Sequence, residues 1–247
     1  MAFLFQKWKT NRFLKRNPLK TADGSYTLHI PEWNEQYHSK NGALAEARHV
    51  FIKEGLNFWC SQNPSPEISI LEIGFGTGLN CILTYLETQE NSLKITYTGV
   101  EAFPLNLKEV QSINYTSTLK KVYPDKTFHT QKNEEVFLAI HNTPWEEETD
   151  ISEHFILTKQ KKFFSEIAAD QEFNLIYFDA FGIRVQPELW TEDVFQKMND
   201  ALKPEGVLVT YAANGNARRA MQNTGFSVER LSGPPGKREM LRAQKMT

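Results

Sequence analysis

Three glycines, Gly74, Gly76 and Gly78, fall within five positions of the stretch LEIGFGTGLN at residues 71–80, and Glu72 stands just ahead of them. Glycine accepts positive φ and lets a ligand reach the backbone with no Cβ in the way. A Gly-rich turn between strand and helix holds a nucleotide-like ligand at the carboxyl edge of a parallel sheet. The spacing here is G-x-G-x-G rather than the dinucleotide fingerprint G-x-G-x-x-G, and a phosphate-binding loop needs G-K-[ST] where this chain has Gly78, Leu79 and Asn80. A carboxylate repels pyrophosphate and attracts the sulfonium and ammonium of S-adenosylmethionine, so Glu72 points to that cationic cofactor. Glu101 ends the next expected strand, where an acid accepts hydrogen bonds from both ribose hydroxyls. Phe75, Asn80 and Ala102 neighbour these positions and complete the motif's candidate cofactor set.

A second set lies in FDAFGIRVQPELWT, residues 178–191, after a buried apolar run in which Asp179 is the ionisable group. Methyl transfer from a sulfonium is an in-line displacement. If the nucleophile is an amine, positive charge develops on it, and a fixed carboxylate beside it stabilises that charge and orients the lone pair. The same carboxylate favours the unreactive ammonium, so Asp179 must also accept a proton. Phe181 and Trp190 are candidates to wall the site or to stack on a base. Ordinary core packing is the competing reading for both.

The elements that would position these residues alternate between strand and helix. Residues 68–73 (ISILEI) form a continuous apolar run, typical of a strand buried on both faces. Leu79, Ile82, Leu83 and Leu86 make a helical stripe behind the glycines. Further strands are expected at KITYTGVEA (94–102), HFILTK (154–159), FNLIYFDAF (173–181), VLVTY (207–211) and REMLRA (238–243). Helices are expected over 104–118, around Val136 to Ile140, over 191–202 with Thr191 as cap, and from Ala217 to Thr224. A short strand is expected near Phe128. Upstream, YTLHI (26–30) reads as a strand and residues 42–59 as a helix, broken by NPSPE at 63–67. The pattern predicts an α/β fold: a Rossmann-like, mostly parallel sheet with helices on both faces. A basic leader is expected over 1–20 and a small N-terminal extension over 21–63, ahead of a cofactor-binding core at 67–247.

Four segments in order, YHSKNGALAEARHVF (37–51), EIGFGTGLN, DAFGIRVQPELWT and GPPGKREM (233–240), resemble the MnmC-like methyltransferases. The resemblance runs from about residue 21 to 243. It implies S-adenosylmethionine-dependent N-methylation of the 5-aminomethyl group of wobble uridine in tRNA. It assigns Asp179 to the acceptor nitrogen and Glu72, Gly74, Gly76, Gly78 and Glu101 to the cofactor. Tyr37, His38 and Glu46 fall in the N-terminal signature, Pro187 in the acceptor loop, and Lys237 and Arg238 in the C-terminal signature; all are implied substrate residues. The chain departs from the family at Ile183, where a proline is usual. TKQKKFF (158–164) also lacks the acid that meets the adenine amino group, which leaves Gln160 as the candidate acceptor. With no second glycine fingerprint, the chain looks like a standalone form without the flavin oxidoreductase domain.

Composition sets outer limits. Of 247 residues, 40% are hydrophobic and 23% charged, the balance of a globular protein with a core. No apolar run approaches the ~20 residues of a membrane helix. Cys60 and Cys81 fit no metal spacing and read as reduced thiols in a cytoplasmic protein. No metal is expected, and the lack of an exposed apolar stripe favours a monomer. Net charge is −2, but Lys and Arg crowd both ends. That placement suits a phosphate-facing patch if the ends meet. Three rival readings remain: methyl or aminopropyl transfer to a polyamine, for which the acids at 146–149 would have to line a pocket rather than a solvated loop; a non-catalytic tRNA-binding protein; and an NAD-dependent dehydrogenase, disfavoured by the glycine spacing.

Overall fold

The computed structural model describes residues 14–91, 93–113, 115, 118, 119 and 130–246. β1 (Asn17–Lys20), β2 (Tyr26–Ile30) and β3 (Glu35–Gln36) make a small antiparallel sheet. Residues 1–13 of the expected leader lie outside the described residues. The rest of it is not a loose arm, because β1 pairs along the full length of the outer edge of β2 and satisfies its backbone groups.

A helical segment, α1, covers residues 43–62, with α-helical ends and a π-type stretch at Arg48–Asn57. Its Gly55 lets the helix close on the sheet: a Cβ there would lie 3.0 Å from Val209 and 3.3 Å from Tyr177. The chain then runs through β4 (Glu67–Ile73), α2 (Leu79–Asn91), β5 (Lys94–Val100), α3 (Leu107–Gln111), α4 (Thr130–Asn142), β6 (Glu148–Ser152), β7 (Phe155–Gln160) and β8 (Phe173–Phe178). It ends with α5 (Glu192–Ala201), β9 (Leu202–Thr210), α6 (Gly215–Asn223), β10 (Phe226–Ser232) and β11 (Glu239–Lys245).

The second sheet has eight strands in the order β10-β11-β9-β8-β4-β5-β7-β6. β9, β8, β4, β5 and β7 are parallel; β11 and then β10 extend the sheet by antiparallel pairing at one end, and β6 does so at the other. The expected α/β sheet is therefore present. The central strands β4 and β8 are largely apolar because each packs on both sides. In β4, Ile68 and Ile70 join the core beneath α1 and α2, while Leu71 and Ile73 join the core beneath α5 and α6. β5 and β8 flank β4 on opposite sides, so a crevice opens at its carboxyl end, where such sheets bind ligands.

Several expectations need correction. The acids read as a solvated loop partly belong to β6, whose exposed charges suit an unpaired sheet edge. Thr191 sits at the N-cap of α5 with extended backbone, but its side chain makes no capping bond. Of the helix expected over 104–118, α3 is the regular part, and its cap is the reciprocal Asn106–Glu109 box. The strand expected near Phe128 lies outside the described residues.

Candidate active site

A cavity of about 640 Å³ opens at the carboxyl ends of β4, β5 and β8. Gly74 and Gly76 line it. Gly74 has φ of 92° and passes so close under the end of β8 that a Cβ would lie 2.6 Å from the Asp179 carbonyl oxygen. Gly76 has φ of 47°, and a Cβ there would meet the Tyr37 ring at 3.0 Å. The turn is thus bare because strand end and N-terminal segment close on it from two sides.

Glu101 lines the cavity, and its carboxylate accepts from the Gly76 N–H at 3.1 Å and the Phe103 N–H at 2.8 Å. Burial raises its pKa, against the pull of those backbone donors and Arg16. Asp179 faces the cavity from the end of β8. Burial, then the charge of Glu46, push its pKa up to about 7, while the Asn80 hydrogen bond and Lys237 oppose the shift.

Glu72 is placed differently from expectation. It is 1% exposed and absent from the cavity wall. Its carboxyl accepts from Asn80 Nδ2 at 2.9 Å and from Tyr97 OH at 2.8 Å. Asn80 Nδ2 also donates to Asp179 Oδ2 at 2.9 Å, so one amide ties the two acids together. Burial, then the negative charge of Asp179, raise the Glu72 pKa well above the carboxylate range. Side-chain alternation explains this: Glu72 points into the layer beneath the sheet edge, and only the backbone beyond Ile73 reaches the ligand space.

Other expected site residues divide in the same way. Ala102, Tyr37, His38, Phe181 and Pro187 line the cavity. His38 Nε2 lies 2.7 Å from Thr77 Oγ1, and burial, then Lys237, lower its pKa to about 3, so it stays neutral. Phe75 is core, packed edge-on to His141 and Trp145. Gly78 backs onto His141 rather than the cavity. Gln160 serves through its backbone carbonyl, which accepts from the Glu101 N–H at 3.0 Å, and its side chain is not in the wall. Trp190 is 3% exposed, and its indole N–H donates to the Phe181 carbonyl at 2.9 Å, so it braces the acceptor loop from the core. Glu46 and Lys237 pair behind the wall, with Lys237 Nζ 3.7 Å from the Tyr211 ring centroid. Arg238 is exposed.

Sequence reasoning missed Arg16, Trp33, Phe103, Phe163 and Phe164, all in the cavity wall. An aromatic pair directly after a strand end was the available signal for the last two. Arg16 and Trp33 lie in short irregular segments that give no periodic signal.

The sequence profile of the family described as S-adenosyl-L-methionine-dependent methyltransferase matches residues 124–246. A tRNA 5-methylaminomethyl-2-thiouridine biosynthesis bifunctional protein MnmC from Leptospira interrogans is 27% identical over 215 residues, 85% of this chain and 32% of that protein. The same-named protein of Cupriavidus metallidurans is 25% identical over 228 residues, 90% of this chain and 33% of that one. The chain is thus similar to the methyltransferase part of MnmC proteins along most of its length, and the profile match covers its C-terminal half. The chain spans about a third of the length of the curated relatives it matches. In fold it is similar to MNMC2 from Aquifex aeolicus, with a TM-score of 0.72, 21% identity, and coverage of 96% of this chain and 71% of that one. It is also similar to the spermidine synthase of Thermotoga maritima, with a TM-score of 0.55, 14% identity, and coverage of 95% and 70%. The residues present fit the cofactor S-adenosyl-L-methionine: Gly74 and Gly76 line the cavity with backbone, and Glu101 and Asp179 supply acceptors in its wall. Among the described residues, no helix is long and apolar enough to cross a membrane.

Proposed function

We propose that this methyltransferase N-methylates the 5-aminomethyl group of wobble uridine in tRNA, giving 5-methylaminomethyl(-2-thio)uridine. The observation that carries the reading is Asp179: a cavity-facing carboxylate whose pKa of about 7 suits a group that must hold an amine and then take its proton. The names of the MnmC relatives support the substrate.

In this reading Gly74, Gly76 and Ala102 present backbone to the cofactor, Glu101 receives its ribose hydroxyls, and Phe103, Phe163 and Phe164 enclose its adenine. When bound, S-adenosyl-L-methionine supplies an electrophilic methyl group on sulfur. Asp179 accepts a hydrogen bond from the acceptor amine, aligns its lone pair, and takes the proton displaced as the C–N bond forms. Asn80 fixes the carboxylate for that task through its bond to Oδ2. Tyr37, His38, Phe181 and Pro187 line the acceptor side. Glu46 holds Lys237 behind that wall, and Arg238 meets tRNA phosphate. The protein acts as a cytoplasmic monomer without a metal, and residues 21–63 and 67–247 work as one methyltransferase unit. The acids at 146–149 are not in the cavity wall, so the stretch expected to hold a polyamine does not reach the site.

The test is mass analysis of nucleosides from aminomethyl-containing tRNA incubated with protein and S-adenosyl-L-methionine. A methylaminomethyl product is expected. Its absence, with methylation of a polyamine instead, would overturn the reading.

A further inference from the structure

The cavity has two ends. β5 and β7 lie on one side of β4, and β8 lies on the other. Glu101, Phe103 and Phe163 mark the first end and Asp179 the second. Phe181 follows Asp179 by two residues, and two further rings stand edge-on to it. The Trp33 ring centroid lies 5.6 Å away at 84°, and that of Tyr37 lies 5.0 Å away at 72°. All three residues line the cavity. Trp33 arrives from the turn between β2 and β3, far from Phe181 in sequence. Arg184 fixes the two together: its guanidinium donates to the Asn34 carbonyl at 3.1 Å and to Glu35 Oε2 at 2.8 Å. This tie brings the turn that carries Trp33 against the loop that carries Phe181.

We propose that the Trp33 ring stacks on the extruded pyrimidine of the acceptor nucleotide, with Phe181 standing edge-on beside it as a side wall, and so presents the aminomethyl arm to Asp179. The inference rests on the tRNA reading above and adds a specificity-determining residue to it. An anticodon base is unstacked before chemistry, and proteins hold such bases on aromatic faces. A platform of this kind discriminates a nucleotide from a free amine, which offers no flat ring.

The experiment measures kcat/KM for aminomethyl-tRNA and the Kd for S-adenosyl-L-methionine in the full chain, for the parent, Trp33→Ala and Trp33→Phe. Base–aromatic stacking predicts a loss of roughly five- to 150-fold in kcat/KM for Trp33→Ala. Trp33→Phe should recover most of it, and cofactor Kd should stay within about twofold of the parent in both. An active parent with Trp33→Ala unimpaired overturns the inference, as does a parallel loss of cofactor affinity in a folded variant. A parent that methylates no tRNA overturns the functional reading instead. If Trp33→Ala fails to fold, Phe181→Leu faces the same comparison.

Discussion

Asp179 ionises near neutrality because burial and Glu46 outweigh the bonds from Asn80 and the charge of Lys237. A positioned acid–base group contributes roughly 10²–10⁴-fold, so Asp179→Asn should lower kcat by that range while cofactor binding persists. Single-turnover rates and cofactor titration measure the two halves; turnover within a few-fold of the parent would make Asp179 structural. As a base, Asp179 works only when ionised, so kcat/KM should rise with pH through about 7 and then level. The stability sign is opposite. The folded pKa lies above the unfolded carboxylate value, so the native state holds the extra proton between about pH 4 and 7 and loses stability as pH rises through that window. Asp179→Asn should flatten that part of the pH–stability curve, read from Tm across buffers.

Where β4 ends, the Gly74 backbone crosses under the last peptide of β8. Gly74→Ala combines a φ of 92° with a Cβ 2.6 Å from the Asp179 carbonyl, so one of the two strand ends must move. The cost is about 1–3 kcal/mol, a Tm loss of several degrees on a chain of this size, together with most of the activity. An unchanged Tm would show that the crossing is looser than drawn. Strands such as β4 and β8 were legible because burial on both faces leaves a long apolar run, and α5 because its apolar stripe keeps helical spacing. β6 was not, since its charges follow from facing water at an edge, a tertiary fact. For the same reason the glycine motif revealed the ligand space, while Glu72 in the same motif misled: its type was readable, but its direction depends on Asn80 and Tyr97. For Trp190 the structure takes the core-packing reading: the ring is buried, and its indole N–H donates to the Phe181 carbonyl.

The molecule uses several of its C-terminal cations internally. Arg242 bridges Glu54 at 3.2 Å and Glu229 at 2.8 Å, Lys245 bonds the Asn199 and Leu202 carbonyls, and Lys237 pairs with Glu46. The basic tail visible in the sequence is therefore in part a set of struts, and fewer cations remain to face a polyanion than the count of Lys and Arg suggests. Arg238 is exposed beside the signature loop. Arg238→Ala should reduce the slope of log affinity for tRNA against log salt by about 0.7–0.9, the release of one counterion, with no change in cofactor Kd. An unaltered slope would remove Arg238 from the phosphate contacts. The clamp of Arg184 on Glu35 joins positions 149 apart. During synthesis, the glycine turn and its acidic neighbours emerge while the residues that will hold Trp33 in place are still unmade. Because Gly74 closes on Asp179 and Trp33 is tied to Arg184, neither half of the cavity is complete until β8 and the loop after it have been made.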